Sequence, residues 1–307
     1  MFKEEYLAPV TFENKHLIEQ YCSRYPQYHS ESSTVTILSW ENYASYRVAE
    51  YKNHLIIDCR TAEEHGIHVP IGEPDAELIK ELLIFARDNG YALEIYDEEN
   101  LACIQETYPD IPITENRNYF EYVYSTENLA NLKGKKYLNI RGQINTFNAR
   151  WKYRVEKITA ENMPEVTALL EEWAKTKNAE THPILKEEIN AAHFALDNFQ
   201  KLPLDGLVIR ILENNKLAGL AVWEIQTETS ALIHFEKGLL EYPGIYKIIN
   251  RETAQELLGK VEWINRESDM GEAGLREAKL RYHPDFFVKA YYIRPEDIPA
   301  TLTYNNS

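Results

Sequence analysis

The sequence predicts a mixed α/β protein, of the α+β kind, in which one structural unit is used twice. Three observations predict it. The chain has 307 residues, and at roughly 100–200 residues per domain that length suits two domains. Val10-Thr11-Phe12-Glu13-Asn14 and Ile158-Thr159-Ala160-Glu161-Asn162 open two stretches alike, each with Thr where a helix cap would sit and Asn three residues on. The order of strand and helix signals that follows is the same in both stretches.

In the first half, Leu17, Ile18, Tyr21 and Cys22 carry helical spacing. Tyr46 to Tyr51 and His54 to Asp58 form a hairpin across Lys52-Asn53. Ile67 to Ile71 is a short strand, and Pro74-Asp75 opens a helix whose apolar face is Leu78, Ile79, Leu82, Leu83 and Ala86. Asn89-Gly90 stops that helix. A strand at Leu93 to Tyr96, a helix at Glu98 to Thr107 and a strand at Tyr119 to Tyr124 complete the half.

The second half repeats the order. Val166, Leu169, Leu170 and Trp173 mark its first helix, and an additional helix covers about Leu185 to Gln200 after a turn at His182-Pro183. Leu207 to Leu212 and Leu217 to Ile225 form a hairpin across Asn214-Asn215. Then come a strand at Ala231 to Phe235, a helix at Ile245 to Leu258, a strand at Val261 to Ile264, a helix at Gly271 to Tyr282 and a strand at Phe286 to Ile293. The expected division is residues 1–132, a basic linker and first strand at 133–154, and residues 155–307.

Composition narrows the function. Lys+Arg number 33 against 49 Asp+Glu, a net charge of −16. That opposes a surface that coats nucleic acid or anionic membrane indiscriminately. The charge is uneven, however. Lys133 to Arg154 holds seven basic residues and no acid, so the rest of the chain carries −23. Lys135, Lys136, Arg141, Arg150 and Lys152 form a candidate anionic-ligand patch, with Tyr137, Phe147, Trp151 and Tyr153 interleaved for stacking. The alternative is a solvated linker whose aromatics pack inward.

Three scattered cysteines make neither a disulfide framework nor a zinc cage, and no metal site is expected. Glu4 and Glu5 stand where a signal peptide needs an apolar run, and the apolar runs are too short to span a bilayer. The expectation is a cytoplasmic protein without membrane insertion.

Two stretches carry a family resemblance. The first is Ile264-Asn265-Arg266-Glu267-Ser268-Asp269, continuing through Gly274-Leu275-Arg276-Glu277-Ala278-Lys279 to Tyr282-His283-Pro284. The second is Lys133-Gly134-Lys135-Lys136, continuing to Arg141, Ile144-Asn145 and Phe147. Both resemble the tandem-GNAT proteins related to the C-terminal domain of phosphatidylglycerol lysyltransferase, in a branch that is soluble and largely uncharacterised. In the second stretch Ile140, Gly142 and Gln143 depart from the usual Lys, Asn and His. The resemblance implies two GNAT-like domains, the C-terminal one carrying a transfer site. It implies an acyltransferase or aminoacyltransferase, with acyl-CoA or aminoacyl-tRNA as donor and a small-molecule amine or hydroxyl as acceptor.

Candidate residues follow. Asn265, Arg266 and Asp269 crowd a strand end before a helix, where open sheets place ligands, and Arg276 and Lys279 lie on that helix. They are candidates for holding the donor, as are Lys237 and Gly238. The bland reading is a capped helix with Arg266 paired to a neighbouring acid. The resemblance implies Glu236 as general base and Tyr282 as acid, with Asp269 as a third catalytic candidate. The loop Lys237-Gly238-Leu239-Leu240-Glu241-Tyr242-Pro243-Gly244 lacks the glycine spacing that grips a pyrophosphate, and Glu241 would repel one. The loop itself does not support coenzyme A, and a donor without a pyrophosphate, such as aminoacyl-tRNA, would make the missing motif unsurprising. It equally suits an alternative, a non-catalytic tandem-GNAT protein that binds an anionic ligand. The donor, the acceptor and the oligomeric state are open at this point.

Overall fold

The computed structural model describes residues 1–62, 64–177 and 183–304, and the turn expected at His182 lies outside them. In chain order the elements begin with β1 (Ala8–Pro9), α1 (His16–Arg24), α2 (Thr34–Ser39), β2 (Ser45–Tyr51), β3 (His54–Arg60) and β4 (His65–His68). Next come α3 (Ala76–Asn89), β5 (Ala92–Ile95), α4 (Glu98–Thr107), β6 (Thr114–Glu115), β7 (Glu121–Ser125), α5 (Thr126–Asn131) and α6 (Leu138–Arg150). Then follow β8 (Tyr153–Lys157), α7 (Met163–Thr176), α8 (Pro183–Asp197), β9 (Leu204–Ile211), β10 (Leu217–Ile225) and β11 (Ser230–Gly238). The chain ends with α9 (Ile245–Leu257), β12 (Trp263–Ser268), α10 (Ala273–Leu280), β13 (Phe286–Val288) and β14 (Tyr291–Ile293). No helix among the described residues is long and apolar enough to cross a membrane.

The fold is the expected one, two mixed seven-stranded sheets flanked by helices. The repeated start is visible in its hydrogen bonds. Asn14 Oδ1 accepts from Thr11 N at 2.7 Å while its Nδ2 donates to Pro9 O at 2.9 Å. Asn162 does the same with Thr159 N and Lys157 O, both at 2.8 Å. The asparagine therefore closes a turn ahead of each helix, and neither Thr is the N-cap: α1 and α7 follow Lys15 and Asn162.

The two units are Met1–Phe120 with Val288–Ser307, and Glu121–Phe287. This corrects the expected boundaries at 132 and 155. The last strand of each sequence half completes the sheet of the other half. In the first unit the order is β1-β2-β3-β4-β5-β14-β6, with β4 and β5 parallel and β14 antiparallel to β5. The hairpin of β2 and β3 turns at Lys52 and Asn53, both with positive φ, as a two-residue hairpin requires. Asp75 caps α3 by accepting from Glu77 N and Leu78 N, and Gly90, at φ 74°, ends it. The fully buried Leu78, Ile79, Leu82, Leu83 and Ala86 seal that helix onto the sheet.

In the second unit the order is β13-β7-β12-β11-β10-β9-β8. β7 lies antiparallel to β12, pairing Tyr124 with Ile264 and Val123 with Asn265. The segment expected as a linker contains α6, whose Ile140, Ile144 and Phe147 are buried at helical spacing. The central strands are packed tightly by α9: a Cβ added at Gly219 would lie 2.5 Å from Ile249 Cδ1.

Candidate functional site

The site in the second unit arises where two strands part. β11 and β12 are parallel and pair at Ser230/Trp263, Ala231/Ile264 and Leu232/Asn265, after which the pairing stops. On its other edge β11 is bulged. Ile233 pairs with Trp223 and Phe235 with Val222, so His234 is the additional residue. The strict alternation expected through Glu236 is therefore interrupted. Beyond the last paired residues, side chains rather than backbone bridge the two strands.

Two bridges span the opening. His234 Nδ1 lies 3.1 Å from Glu267 Oε1, and its Nε2 lies 3.3 Å from Glu224 Oε1. Burial disfavours the charged ring, but the two carboxylates outweigh it and raise its pKa to about 9. Glu267 is held up from the usual carboxylate range by burial, against the pull of His234. It also sits at φ 55°, the left-handed region that a Glu rarely adopts. The second bridge is Arg266 Nη2 to Glu236 Oε2, with Asn250 on α9 beside both. With the Asn250 amide oriented by its neighbours, its oxygen accepts from Arg266 Nε at 3.2 Å and Nη1 at 3.0 Å.

Aromatic rings enclose the guanidinium. Arg266 Cζ stands 5.2 Å from the Tyr282 ring centroid and 5.9 Å from that of Tyr124. Tyr282 is 3% exposed, its hydroxyl has no hydrogen-bond partner among the described residues, and burial pushes its pKa up. Lys247, in the first turn of α9, puts its Nζ 5.1 Å from the same ring.

The turn from β12 into α10 is a separate, closed network. Asp269 is fully buried and accepts from Arg276 Nε at 2.9 Å and Nη2 at 2.8 Å, from Gly271 N at 2.9 Å, and from the Tyr122 hydroxyl. Burial works against the carboxylate, yet these donors lower its pKa to about 2. Lys279 Nζ donates to the carbonyls of Arg266, Glu267 and Ser268 at 2.6, 3.1 and 2.6 Å. Burial, reinforced by Arg266, lowers its pKa to about 8. Asn265 Nδ2 donates to Glu121 Oε2 at 2.6 Å, and its Oδ1 accepts from Glu267 N at 2.9 Å.

The candidate residues thus separate by what they touch. Glu236, Arg266 and Tyr282 come together. Asn265, Asp269, Arg276 and Lys279 are bound into the backbone turn beneath them and hold Arg266 and Glu267 in place. Lys237 is on the opposite face of β11 from Glu236, paired with Glu188 and 4.2 Å from the Trp173 ring centroid. Gly238 packs under α9, where a Cβ would meet Ile245 Cγ2 at 2.8 Å.

The basic run is divided as well. Lys135, Lys136, Arg150 and Lys152 are exposed. Arg141 is taken up by the carbonyls of Leu132 and Gly134 at 2.5 and 2.7 Å. The interleaved aromatics pack inward rather than standing free to stack on bases. Tyr137 meets His283 at 5.7 Å between centroids, Phe147 meets Tyr153 at 5.7 Å, and Trp151 meets Tyr242 at 5.2 Å. In the loop before α9, Leu239 and Tyr242 are buried and Glu241 pairs with Lys216 at 2.9 Å.

Sequence reasoning missed His234, Glu224 and Glu267 as a bridge, Lys247 and Asn250 on α9, and Glu121, Tyr122 and Tyr124 on β7. The last three come from the first sequence half, and only the strand exchange brings them to the signature turn.

The model for the family "Phosphatidylglycerol lysyltransferase, C-terminal" matches residues 23–294. Among solved structures, a conserved protein of unknown function from Bacteroides thetaiotaomicron is similar at 26% identity and TM-score 0.86, covering 94% of this chain and 98% of that one. The structure of L-PGS from Bacillus licheniformis is similar at 17% identity and TM-score 0.61, covering 96% and 93%. FemX is similar at 9% identity and TM-score 0.54, covering 94% and 98%. No curated protein matches the chain. A family match that takes in the repeated units and the β12–α10 signature means that this chain belongs to the phosphatidylglycerol lysyltransferase C-terminal family.

Proposed function

We propose that the protein is an aminoacyltransferase, moving an aminoacyl group from charged tRNA to a small-molecule hydroxyl or amine at the opening between β11 and β12. The family match over residues 23–294 carries the reading. The opening supplies fitting chemistry, and the loop before α9 lacks the glycine spacing that grips a pyrophosphate.

In this reading the acceptor oxygen or nitrogen attacks the ester carbonyl and forms the new bond. Its proton passes to Glu236, whose carboxylate Arg266 fixes in place. The carbonyl oxygen becomes an oxyanion beside the Arg266 guanidinium. Collapse breaks the bond to the ribose oxygen, which takes a proton from the Tyr282 hydroxyl. Burial keeps that hydroxyl protonated and therefore able to donate. The proton on Glu236 then returns to Tyr282.

A binding-only protein is the second reading, favoured by the engagement of Glu236 with Arg266. Titration with acetyl-coenzyme A beside gel shift with lysyl-tRNA tests the donor. Lysyl-tRNA binding without coenzyme A binding is expected, and coenzyme A binding alone would refute the proposal.

A further inference from the structure

The first unit contains a polar cluster that the transfer reaction does not use. Tyr46 on β2 pairs with Cys59 on β3, and Cys59 with Gly66 on β4, so the three share one face of the sheet. Two residues beyond Gly66, His68 pairs with Glu94 on β5 and lies on that same face. Gly66 makes room for the Glu94 carboxylate: a Cβ there would stand 2.5 Å from Glu94 Cδ and Oε1. The turn at Ser30–Ser32 brings Glu31 to this face, where its Oε2 accepts from the Tyr46 hydroxyl at 2.8 Å.

The donors of the cluster are already engaged. The Tyr46 hydroxyl serves Glu31, and the Tyr96 hydroxyl donates to Glu94 Oε2 at 2.9 Å. His29 Nε2 donates to Tyr119 O at 3.0 Å, its Nδ1 accepts from Glu31 N at 3.3 Å, and its ring stands 4.3 Å from that of Tyr96. What remains is acceptor capacity. Oε1 of Glu31 and Oε1 of Glu94 accept no hydrogen bond among the described residues. His68 is 2% exposed, and its Nε2 lies 3.3 Å from Glu94 Oε2 but makes no hydrogen bond among the described residues.

A buried ring nitrogen without a hydrogen bond and carboxylates drawn out of water both cost free energy until something completes them. Burial first holds the Glu31 carboxyl above its usual range, and Glu94 acts in the same direction against the two imidazoles. No lysine or arginine is among the leading charges on Glu31, or on the Tyr96 and Tyr119 hydroxyls. The completing group is therefore a cation that brings N–H donors. Each carboxylate offers one unused oxygen, so a guanidinium fork finds no bidentate partner. An ammonium, with three donors on one nitrogen, matches two single oxygens and a ring nitrogen. The way in is open, because the Glu94 side chain is 24% exposed and Glu31 and Tyr96 are half-buried. We propose that the first unit binds a small primary amine, its ammonium held between Glu31, Glu94 and His68 beside the Tyr96 ring. All these residues belong to the first unit, and the binding does not depend on the transfer reaction.

The test is calorimetric titration of the full chain at pH 7 with n-butylamine, with tetramethylammonium and with n-butanol. Saturable binding of n-butylamine is expected, with the other two at least about tenfold weaker. Tetramethylammonium keeps the charge but has no N–H, so it accounts for simple attraction to a chain of net charge −16. Glu31→Gln and Glu94→Gln should each weaken amine binding at least about tenfold, as expected for a charge-assisted hydrogen bond. If Glu94→Gln fails to fold, Gly66→Ala takes its place, because the added Cβ forces the Glu94 carboxylate aside. Glu98→Gln, on the exposed first turn of α4, should leave binding unchanged. Absence of saturable n-butylamine binding, equal binding of tetramethylammonium, or unchanged binding in Glu31→Gln or Glu94→Gln overturns the proposal.

Discussion

Replacing Asp269 by Asn should destabilise the second unit strongly at neutral pH and hardly at all in strong acid. The wild-type carboxylate is fully buried among Arg276, Tyr122 and Gly271 N, and its pKa is lowered from 3.8 to about 2. That difference corresponds to about 2.5 kcal/mol at 1.36 kcal/mol per pH unit. The folded pKa lies below the unfolded one. The contribution is therefore complete above about pH 4 and lost as pH falls through about 2. Asn keeps one acceptor for Gly271 N but presents its amide donors to Arg276 or Tyr122, so the total cost at pH 7 is about 2–4 kcal/mol. Urea denaturation of wild type and variant at pH 7, 4 and 2.5 reads it out. A variant as stable as wild type at pH 7, or a gap that does not shrink toward pH 2.5, would refute the reasoning.

Other expectations follow from single contacts. His234 has a folded pKa raised to about 9 against 6.5, so its bridge stabilises fully below about pH 6.5 and is lost as pH rises through 9; His234→Asn should cost about 3 kcal/mol at pH 6 and little at pH 10, checked by denaturation at both. Gly219→Ala forces a Cβ to 2.5 Å from Ile249 Cδ1 and should lower stability by about 1–3 kcal/mol, whereas Gly274→Ala on α10 meets nothing within 4 Å and should raise it by about 0.5 kcal/mol; calorimetric melting of the pair separates packing from backbone entropy. Glu236→Gln should reduce kcat for aminoacyl transfer by about 100-fold without unfolding the chain, and an unchanged kcat would remove Glu236 from the base role.

Much of the fold is legible in the chain because its signals are local. Lys52-Asn53, Asp75 and Gly90 mark a hairpin turn, a helix cap and a helix stop within a few residues of their effect. The exchange of β7 and β14 is not local. Tyr119 to Tyr124 and Phe286 to Ile293 each read as one strand in sequence, but nothing in their composition says that β7 joins the second sheet or that Phe286 to Ile293 divides into β13 and β14, one in each sheet. The helix α6 left a signal in Ile140, Ile144 and Phe147, which the basic run obscured. At the site, the crowding of Asn265, Arg266 and Asp269 was readable, and the bland alternative of Arg266 pairing with an acid is what the structure holds. The acid lies 30 positions away on a parallel strand, where only register brings it close. The same holds for His234 and Glu267, whose meeting depends on the bulge.

The most direct measurement of the central claim follows radiolabelled lysine from lysyl-tRNA in the presence of this chain, with phosphatidylglycerol, glycerol phosphate or an amine as acceptor. The account predicts chain-dependent loss of tRNA-bound label and its appearance in a hydroxyl ester or amide, abolished by Tyr282→Phe combined with Glu236→Gln. Label that stays on tRNA with every acceptor, while acetyl-coenzyme A is consumed, would contradict it.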